Sequence, residues 1–205
     1  MNNLCRIGIL GGTLDPIHMG HLIIAQTAKQ ELNLEKIVFM PSGNPPHKNP
    51  AHITDAKHRL EMVKLSIDSN DDFVYSDFEL KRDGVIYTSD TLELLKKEHP
   101  NLDLYFIMGA DSLLAIETWH EPAKIFELAT VVVADRDSSR KELLEQIDYL
   151  HKKYNANIRF ISAPLIDISS SYIRNCVSTG KSIRYLVHSS VEEYINNNHL
   201  YTISF

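Results

Sequence analysis

The stretch Gly11-Gly12-Thr13-Leu14-Asp15-Pro16-Ile17-His18-Met19-Gly20-His21 decides the fold, and it follows an apolar run over residues 4–10. That run is short, rich in branched side chains and stopped by glycines, which is typical of a buried parallel strand. Beyond the stretch, apolar residues recur at helical spacing as far as Leu32, which predicts an amphipathic helix over residues 18–32. The sequence therefore predicts a strand, a glycine loop and a helix that packs back on a sheet.

Two histidines, His18 and His21, lie in the first turn of this predicted helix. Residues three apart share a helix face, so both can point at one ligand, and Gly20 between them lets that ligand approach the backbone. A helix N-terminus offers free N–H groups and partial positive charge, which favours an anion such as phosphate. Two other interpretations stay open: a tight turn beside surface histidines, or a zinc site, although no motif supplies its remaining ligands.

Strand-like runs alternate with helical patterns along most of the chain, without an internal repeat. Further strand-like runs lie at 36–40, 73–75, 102–108, 130–134 and 158–161, with a short extended piece at 78–80. Helical patterns begin near residues 55, 88, 139, 171 and 191. This alternation predicts an α/β fold: a doubly wound, Rossmann-like, mostly parallel sheet with helices on both faces. We expect one domain over residues 1–205, with a helical C-terminal part over 169–205.

The bulk composition excludes several classes of function. A net charge of −6 argues against broad nucleic-acid or anionic-membrane binding, because both need a basic surface. No apolar run approaches the roughly 18 residues that a membrane span needs. The two cysteines, Cys5 and Cys176, are far apart in sequence and suggest no disulfide framework, so we expect a reducing cytoplasm. The sequence does not fix the oligomeric state and allows a homo-oligomer.

Two polar segments outside the glycine loop could bind phosphate. Proline-rich residues 41–50 form a predicted loop that carries Lys48, and this basic loop is either simply solvated or a flap that closes on phosphates. Ser169, Ser170 and Ser171 precede a predicted helix, and Arg174 follows about one turn later. These residues are either a serine cap beside an unrelated arginine or an anion site at the positive end of the helix.

Two further segments could recognise the rest of a nucleotide. Gly109 ends a predicted strand and leaves room for a ligand, and Asp111 could contact ribose hydroxyls or a metal-bound water. Trp119 is the only tryptophan; such a residue either packs in the core or an interface or offers a face for an aromatic ligand. Thr88 or Ser89 could cap the helix that follows.

These segments together resemble a known family. Residues 11–21 resemble the (H/T)xGH motif of the nucleotidylyltransferase superfamily, and with the later segments the chain is similar to bacterial nicotinate-nucleotide adenylyltransferases. The later segments are Pro45-Pro46-His47-Lys48, Tyr87-Thr88-Ser89-Asp90-Thr91, Gly109-Ala110-Asp111 followed by Trp119, and Ile168-Ser169-Ser170-Ser171-Tyr172-Ile173-Arg174. The resemblance implies that nicotinate mononucleotide is joined to the AMP of ATP. Its 5′-phosphate would attack the α-phosphorus in line and release pyrophosphate, with Mg²⁺ arriving on ATP and no dedicated protein metal site.

The resemblance also implies a role for each site residue. The catalytic group would be His18, His21, Lys48 and Arg174. The ATP-binding group would be Gly11, Gly12, Thr13, Gly109, Asp111, Ser169 and Ser170. The nicotinate-nucleotide group would be Thr88, Trp119 and His120. The implied partners are therefore ATP and nicotinate mononucleotide, without nucleic acid or membrane.

Some residues depart from the family pattern. Leu14 stands where phenylalanine is usual, and residues 134–137 depart from an Arg-Pro-Gly pattern, so Arg136 receives no role in adenine binding. Two alternatives stay open. The acceptor could be nicotinamide mononucleotide or another phosphate, or the chain could be a nucleotide-binding regulatory module without turnover.

Overall fold

A computed structural model describes residues 4–44, 53–134, 140–164 and 166–202 of the chain. Its six strands are β1 (Cys5–Gly12), β2 (Lys36–Pro41), β3 (Phe73–Tyr75), β4 (Leu102–Gly109), β5 (Thr130–Ala134) and β6 (Ile158–Ile161). They form one sheet in the order β3-β2-β1-β4-β5-β6. Every neighbouring pair in it is parallel, which confirms the predicted parallel sheet.

Helices connect the strands. They are α1 (Met19–Glu31), α2 (Ala56–Ile67), α3 (Thr88–Glu98), α4 (Ala110–Leu114), α5 (Pro122–Leu128), α6 (Arg140–Tyr154), α7 (Ser170–Ser178) and α8 (Ser189–Asn197). A short 3-10 helix spans Ile116–Thr118. The sequence did not predict α4, α5 or this 3-10 helix, because each is too short for a helical period to stand out. None of the described helices combines the length and the apolar character that a membrane span requires.

Each face of the sheet has its own apolar core. Successive residues of a strand point to opposite faces, so Leu10 and Ile107 enter one core while Ile9 and Phe106 enter the other. The first core receives buried side chains from α1, α2, α7 and α8. The second receives them from α3, α4, α5 and α6. The doubly wound arrangement is thus confirmed, with four helices contributing to each core.

The strand order changes direction beside β1. From β1 the chain moves to β2 and β3 on one side, and then crosses to β4, β5 and β6 on the other. In open α/β sheets, ligands bind outside the carboxyl ends of the strands at such a switch point. Here those ends are Gly12 and Gly109, so the fold places the site where the glycine loop begins.

Two local predictions were wrong. The segment at 78–80 is a turn rather than an extended piece, because the N–H groups of Lys81 and Arg82 donate to the carbonyls of Asp77 and Glu79. Neither Thr88 nor Ser89 caps α3, because Thr88 is already its first residue. The N-cap is Tyr87, whose side chain makes no cap hydrogen bond.

Candidate active site

His18 and His21 meet at the N-terminus of α1, as their spacing predicted. His18 is the N-cap residue and is buried. Its backbone N–H donates to Nδ1 of His21 at 3.2 Å, and the two ring centroids lie 3.7 Å apart. Because Nδ1 of His21 accepts this hydrogen bond, the proton of a neutral His21 ring sits on Nε2. The Nε2–H group is then a donor for an anion.

Gly20 gives the His18 ring its space. A Cβ atom at this position would lie 3.1 Å from the ring atoms Cε1 and Nδ1 of His18, tighter than ordinary van der Waals contact. A side chain here would push the ring away from His21. The glycine between the histidines therefore serves the packing of the pair in addition to the predicted ligand access.

A buried arginine of α2 fixes the backbone of the glycine loop by hydrogen bonds. Arg59 of α2 is 2% exposed. Its Nη1 donates to the carbonyls of Thr13 and Ser42, both at 2.8 Å, and its Nε donates to Thr54 at 2.9 Å. Burial lowers the pKa of Arg59 from its ordinary value. This role could not be predicted from the sequence, since Arg59 lies in an ordinary helical pattern.

Helix α7 holds the same loop from the other side. Nη1 of Arg174 donates to the carbonyl of Asp15 at 2.6 Å, and the hydroxyl of Ser170 donates to the carbonyl of Pro16 at 2.9 Å. Two residues predicted to bind phosphate thus also fix the backbone that leads into His18.

A first cavity of about 440 Å³ lies at the switch point. Its lining includes nine of the predicted site residues: Gly11, Gly12, Thr13, His21, Thr88, Gly109, Asp111, Trp119 and His120. Apolar and aromatic side chains complete the walls, among them Ile24, Ile86, Tyr87 and Phe106. A cavity of this kind suits a ligand with a flat ring.

The aromatic wall of the first cavity is held by packing and hydrogen bonds. Trp119 packs edge-on against Phe106, with ring centroids 6.4 Å apart, and the ring of His120 lies 4.2 Å from that of Tyr87. The carboxylate of Glu117, two residues before Trp119, accepts from Lys153, Tyr149 and Tyr154 of α6. Helix α6 thus anchors the 3-10 helix that leads into Trp119.

Glu79 is a lining residue of the first cavity that sequence reasoning missed. Its carboxylate accepts from the hydroxyl of Thr91 at 2.8 Å and from the backbone N–H of Gly43, while burial raises its pKa. The signal in the sequence that could have identified Glu79 was its position as a charged residue between Phe78 and Leu80 in a short apolar run.

A second cavity of about 360 Å³ lies beside the N-termini of α1 and α7. The predicted site residues in its lining are His18, His21, Asp111, Ser169, Ser170 and Arg174. Ser169 is the N-cap of α7, and its hydroxyl accepts from the N–H of Tyr172 at 3.2 Å, which confirms the predicted serine cap. Two helix N-termini, hydroxyls and a guanidinium suit the binding of phosphates.

The two cavities share His21, Ile24 and Asp111. Among the described lining residues of the second cavity, Asp111 is the one carboxylate. The structure thus brings together all the predicted site residues except Lys48, which lies outside the described residues.

Asp90 and Glu121 lie beside His120 of the first cavity, and these three residues place possible ligand atoms within 4.8 Å of one another. Lys124 Nζ already lies 3.3 Å from the Glu121 carboxylate, so an ammonium group supplies positive charge there. This geometry does not call for a metal ion.

Known proteins share both the sequence and the fold. The family model described as cytidylyltransferase-like matches residues 9–176. A protein named "Probable nicotinate-nucleotide adenylyltransferase" from Clostridium botulinum (strain Alaska E43 / Type E3) is 44% identical over 197 residues, covering 96% of this chain and 98% of that protein. One of the same name from Thermomicrobium roseum (strain ATCC 27502 / DSM 5159 / P-2) is 43% identical over 198 residues, covering 97% and 92%.

The fold agrees with a solved structure. Plasmodium falciparum nicotinic acid mononucleotide adenylyltransferase complexed with NaAD aligns with a TM-score of 0.79 at 22% identity, covering 96% of this chain and 97% of that chain. This likeness confirms the Rossmann-like architecture. With the full-length sequence matches, it leads to one conclusion: the chain belongs to the nicotinate-nucleotide adenylyltransferase family of cytidylyltransferase-like proteins.

Proposed function

We propose that this chain joins nicotinate mononucleotide to the AMP of ATP, giving nicotinate adenine dinucleotide and pyrophosphate in the biosynthesis of NAD. Its relatives are named for this reaction. The observation that carries the proposal is the pair of adjoining cavities, one lined by aromatic rings and one by phosphate-binding groups, with His21 and Asp111 in both linings. Two substrates that react at one phosphorus need such an arrangement.

Nicotinate mononucleotide occupies the first cavity in this proposal. The pyridine ring stacks on Trp119, whose indole offers a large flat face. The carboxylate lies toward Thr88 and His120, because Thr88 begins α3 and the first turn of a helix has free N–H groups. The 5′-phosphate then lies toward the glycine loop at the boundary with the second cavity.

The phosphates of ATP occupy the second cavity. The N-terminus of α7, the hydroxyls of Ser169 and Ser170, and Arg174 hold the β- and γ-phosphates that leave as pyrophosphate. Asp111 lies on the rim, where it can accept from ribose hydroxyls. Gly11, Gly12, Thr13 and Gly109 were predicted on the ATP side. They line the first cavity, so we place them where the two substrates meet.

The acceptor phosphate is already ionised at neutral pH, so this reaction needs no strong base. What the protein supplies is alignment of the attacking oxygen and stabilisation of charge at the α-phosphate. We assign His18 and the Nε2–H of His21 to that phosphate, since both rings lie at the N-terminus of α1. We also assign Lys48 to the phosphates, and this assignment rests on the family motif alone.

Magnesium fits this site as a companion of ATP. Bound Mg²⁺ would neutralise charge on the phosphates. Asp111 is the one carboxylate in the described lining beside them, so it can hold a water ligand of the ion but cannot build a cage. This donor set agrees with an ion held mainly by phosphates and water.

The proposal places the enzyme in the cytoplasm, supported by the free thiols of Cys5 and Cys176. Nucleic acid has no part in it, in keeping with the net charge of −6.

The test is pyrophosphate release from ATP and Mg²⁺, with nicotinate mononucleotide and nicotinamide mononucleotide offered in parallel at equal concentration. We expect release with both and a strong preference for the acid. Equal rates would keep the reaction but remove the proposed carboxylate recognition at Thr88 and His120. ATP binding without release would instead identify a nucleotide-binding module or an enzyme for another acceptor.

A further inference from the structure

Tyr201, which follows α8, reaches Asp15 in the glycine loop. Its hydroxyl donates to Oδ1 of Asp15 at 2.6 Å, and the backbone N–H of Thr54 donates to Oδ2 at 3.0 Å. The Asp15 side chain is 3% exposed. A buried carboxylate is costly unless its oxygens are paired, so these two donors fix where Asp15 can lie.

Asp15 in turn fixes the backbone that enters α1. Its carbonyl accepts from Arg174, and the carbonyl of Pro16 accepts from Ser170. The next residue, Ile17, is 0% exposed, and His18 follows as the N-cap. Because His18 follows only three residues after Asp15, a displacement of Asp15 would also displace His18.

The surroundings of Tyr201 keep it a hydrogen-bond donor. Burial, and then the negative charge of Asp15, raise the pKa of its hydroxyl far above the ordinary value. Raising the pKa of a phenol favours the protonated form, so the O–H donates at every pH at which an enzyme works. A hydrogen bond with the Thr54 side chain, and then the charge of Arg174, lower the pKa of Tyr201 by smaller amounts.

We infer that Tyr201 is a positioning residue for adenylyl transfer, holding Asp15 and through it the approach of His18 and His21 to the α-phosphate. The inference rests on the proposed function. Tyr201 is not among the described lining residues of either cavity, so it acts through Asp15 and touches neither substrate.

The test compares Tyr201→Phe with Tyr194→Phe. Tyr194 is a matched control because its hydroxyl is also paired with a side chain, Nδ1 of His58 at 2.9 Å, and His58 lies in α2 rather than in the glycine loop. We expect Tyr201→Phe to lower kcat roughly tenfold, since small misplacements of catalytic groups are costly. The KM values for both substrates should stay near those of the wild type. Tyr194→Phe should keep the wild-type kcat.

Titration calorimetry with ATP separates positioning from loss of folded protein. A positioning role leaves one ATP site per chain and an unchanged Kd while kcat falls, whereas partial unfolding lowers the number of sites with kcat. Asp15→Asn should likewise lower kcat and leave the KM values near those of the wild type. It replaces Tyr201→Phe in the test if Tyr201→Phe does not fold. The double variant should be little worse than the worse single one, because Tyr201→Phe removes the hydrogen bond to Asp15 and Asp15→Asn removes the charge that strengthens it, so both changes act on one interaction.

If Tyr201→Phe keeps the wild-type kcat, or if its kcat falls in proportion to the number of ATP sites, the inference is wrong. The proposed function stays intact in either case. An inactive wild type would overturn the proposed function first.

Discussion

The two cavities of the site are lined by different kinds of chemical group. The first is walled by rings and branched side chains, including Trp119, Tyr87 and Phe106. Besides Asp111, which it shares with the second, it contains the half-buried carboxyl group of Glu79, which accepts a hydrogen bond from Thr91. The second is formed largely by the N-terminus of α1 with its two histidines and the N-terminus of α7 with its hydroxyls and Arg174. The first selects by shape, because apolar walls discriminate by fit. The second works by charge, because N–H groups and a guanidinium attract phosphate of any origin.

Under the proposed function, this difference separates recognition of the nicotinate nucleotide from catalysis. A change in the first cavity should alter which nucleotide is accepted and how tightly, whereas a change in the second should alter the rate at which the α-phosphate reacts. Two substitutions test that separation, and a third tests whether the first cavity keeps water from the carboxyl group of Glu79.

The largest effect is expected from His18→Ala in the second cavity. The change removes a ring at the proposed α-phosphate position, so kcat should fall by roughly 10²–10³-fold, as for other donors to a reacting oxyanion. The KM for nicotinate mononucleotide should change far less, as measured by steady-state pyrophosphate release. His99→Ala is the control, because His99 is exposed and lines neither cavity among the described residues. A near-normal kcat would remove His18 from the mechanism.

A smaller effect is expected from Trp119→Ala in the first cavity. Loss of a stacking face should raise the KM for nicotinate mononucleotide roughly tenfold, in line with the cost of losing a base–aromatic stack. The KM for ATP should hold, and Trp119→Phe should fall between the wild type and the alanine variant. Equal increases in both KM values would mean that the two cavities do not separate the substrates as proposed.

The smallest effect is expected from Glu79→Gln and concerns stability. Burial raises the pKa of folded Glu79 above its ordinary value of 4.5, so the folded state binds the proton more tightly than the unfolded state. The resulting stabilisation is full below the unfolded pKa and is lost as the pH rises through the folded pKa. The wild type should therefore lose stability relative to Glu79→Gln across that window.

Urea unfolding of both proteins at a series of pH values measures this difference. Glu98→Gln is the control, since Glu98 is exposed near the end of α3. A difference between the wild type and Glu79→Gln that stays constant with pH would show that the first cavity does not keep water from this carboxyl group.

The sequence predicted the parts of the molecule that depend on local pattern. The strand before Gly11, the meeting of His18 with His21 and the cap at Ser169 all follow from spacing of a few residues, and the structure confirms them. Trp119 lines the first cavity, but its stacking role stays a prediction.

Contacts between distant segments could not be predicted in this way. Nothing near Tyr201 or Arg59 in the sequence reveals that their polar groups reach Asp15 and Thr13, because such pairings depend on the completed fold. The position of Glu79 in the cavity depends on a turn that its apolar neighbours concealed. In this protein, local pattern predicted the groups proposed to bind phosphate, and tertiary structure alone revealed the groups that hold them.

The three hydrogen bonds of Arg59 have a consequence for how the protein opens. Its guanidinium joins α2 to the carbonyls of Thr13, Ser42 and Thr54, and separating α2 from all of these would leave a buried cation and three carbonyls without these partners. Local opening of α2 and of the glycine loop should therefore occur as one cooperative event. Amide hydrogens of α2 and of the glycine loop should exchange with solvent deuterium with the same free energy of opening. The glycine loop, where the site begins, is then as resistant to local unfolding as α2.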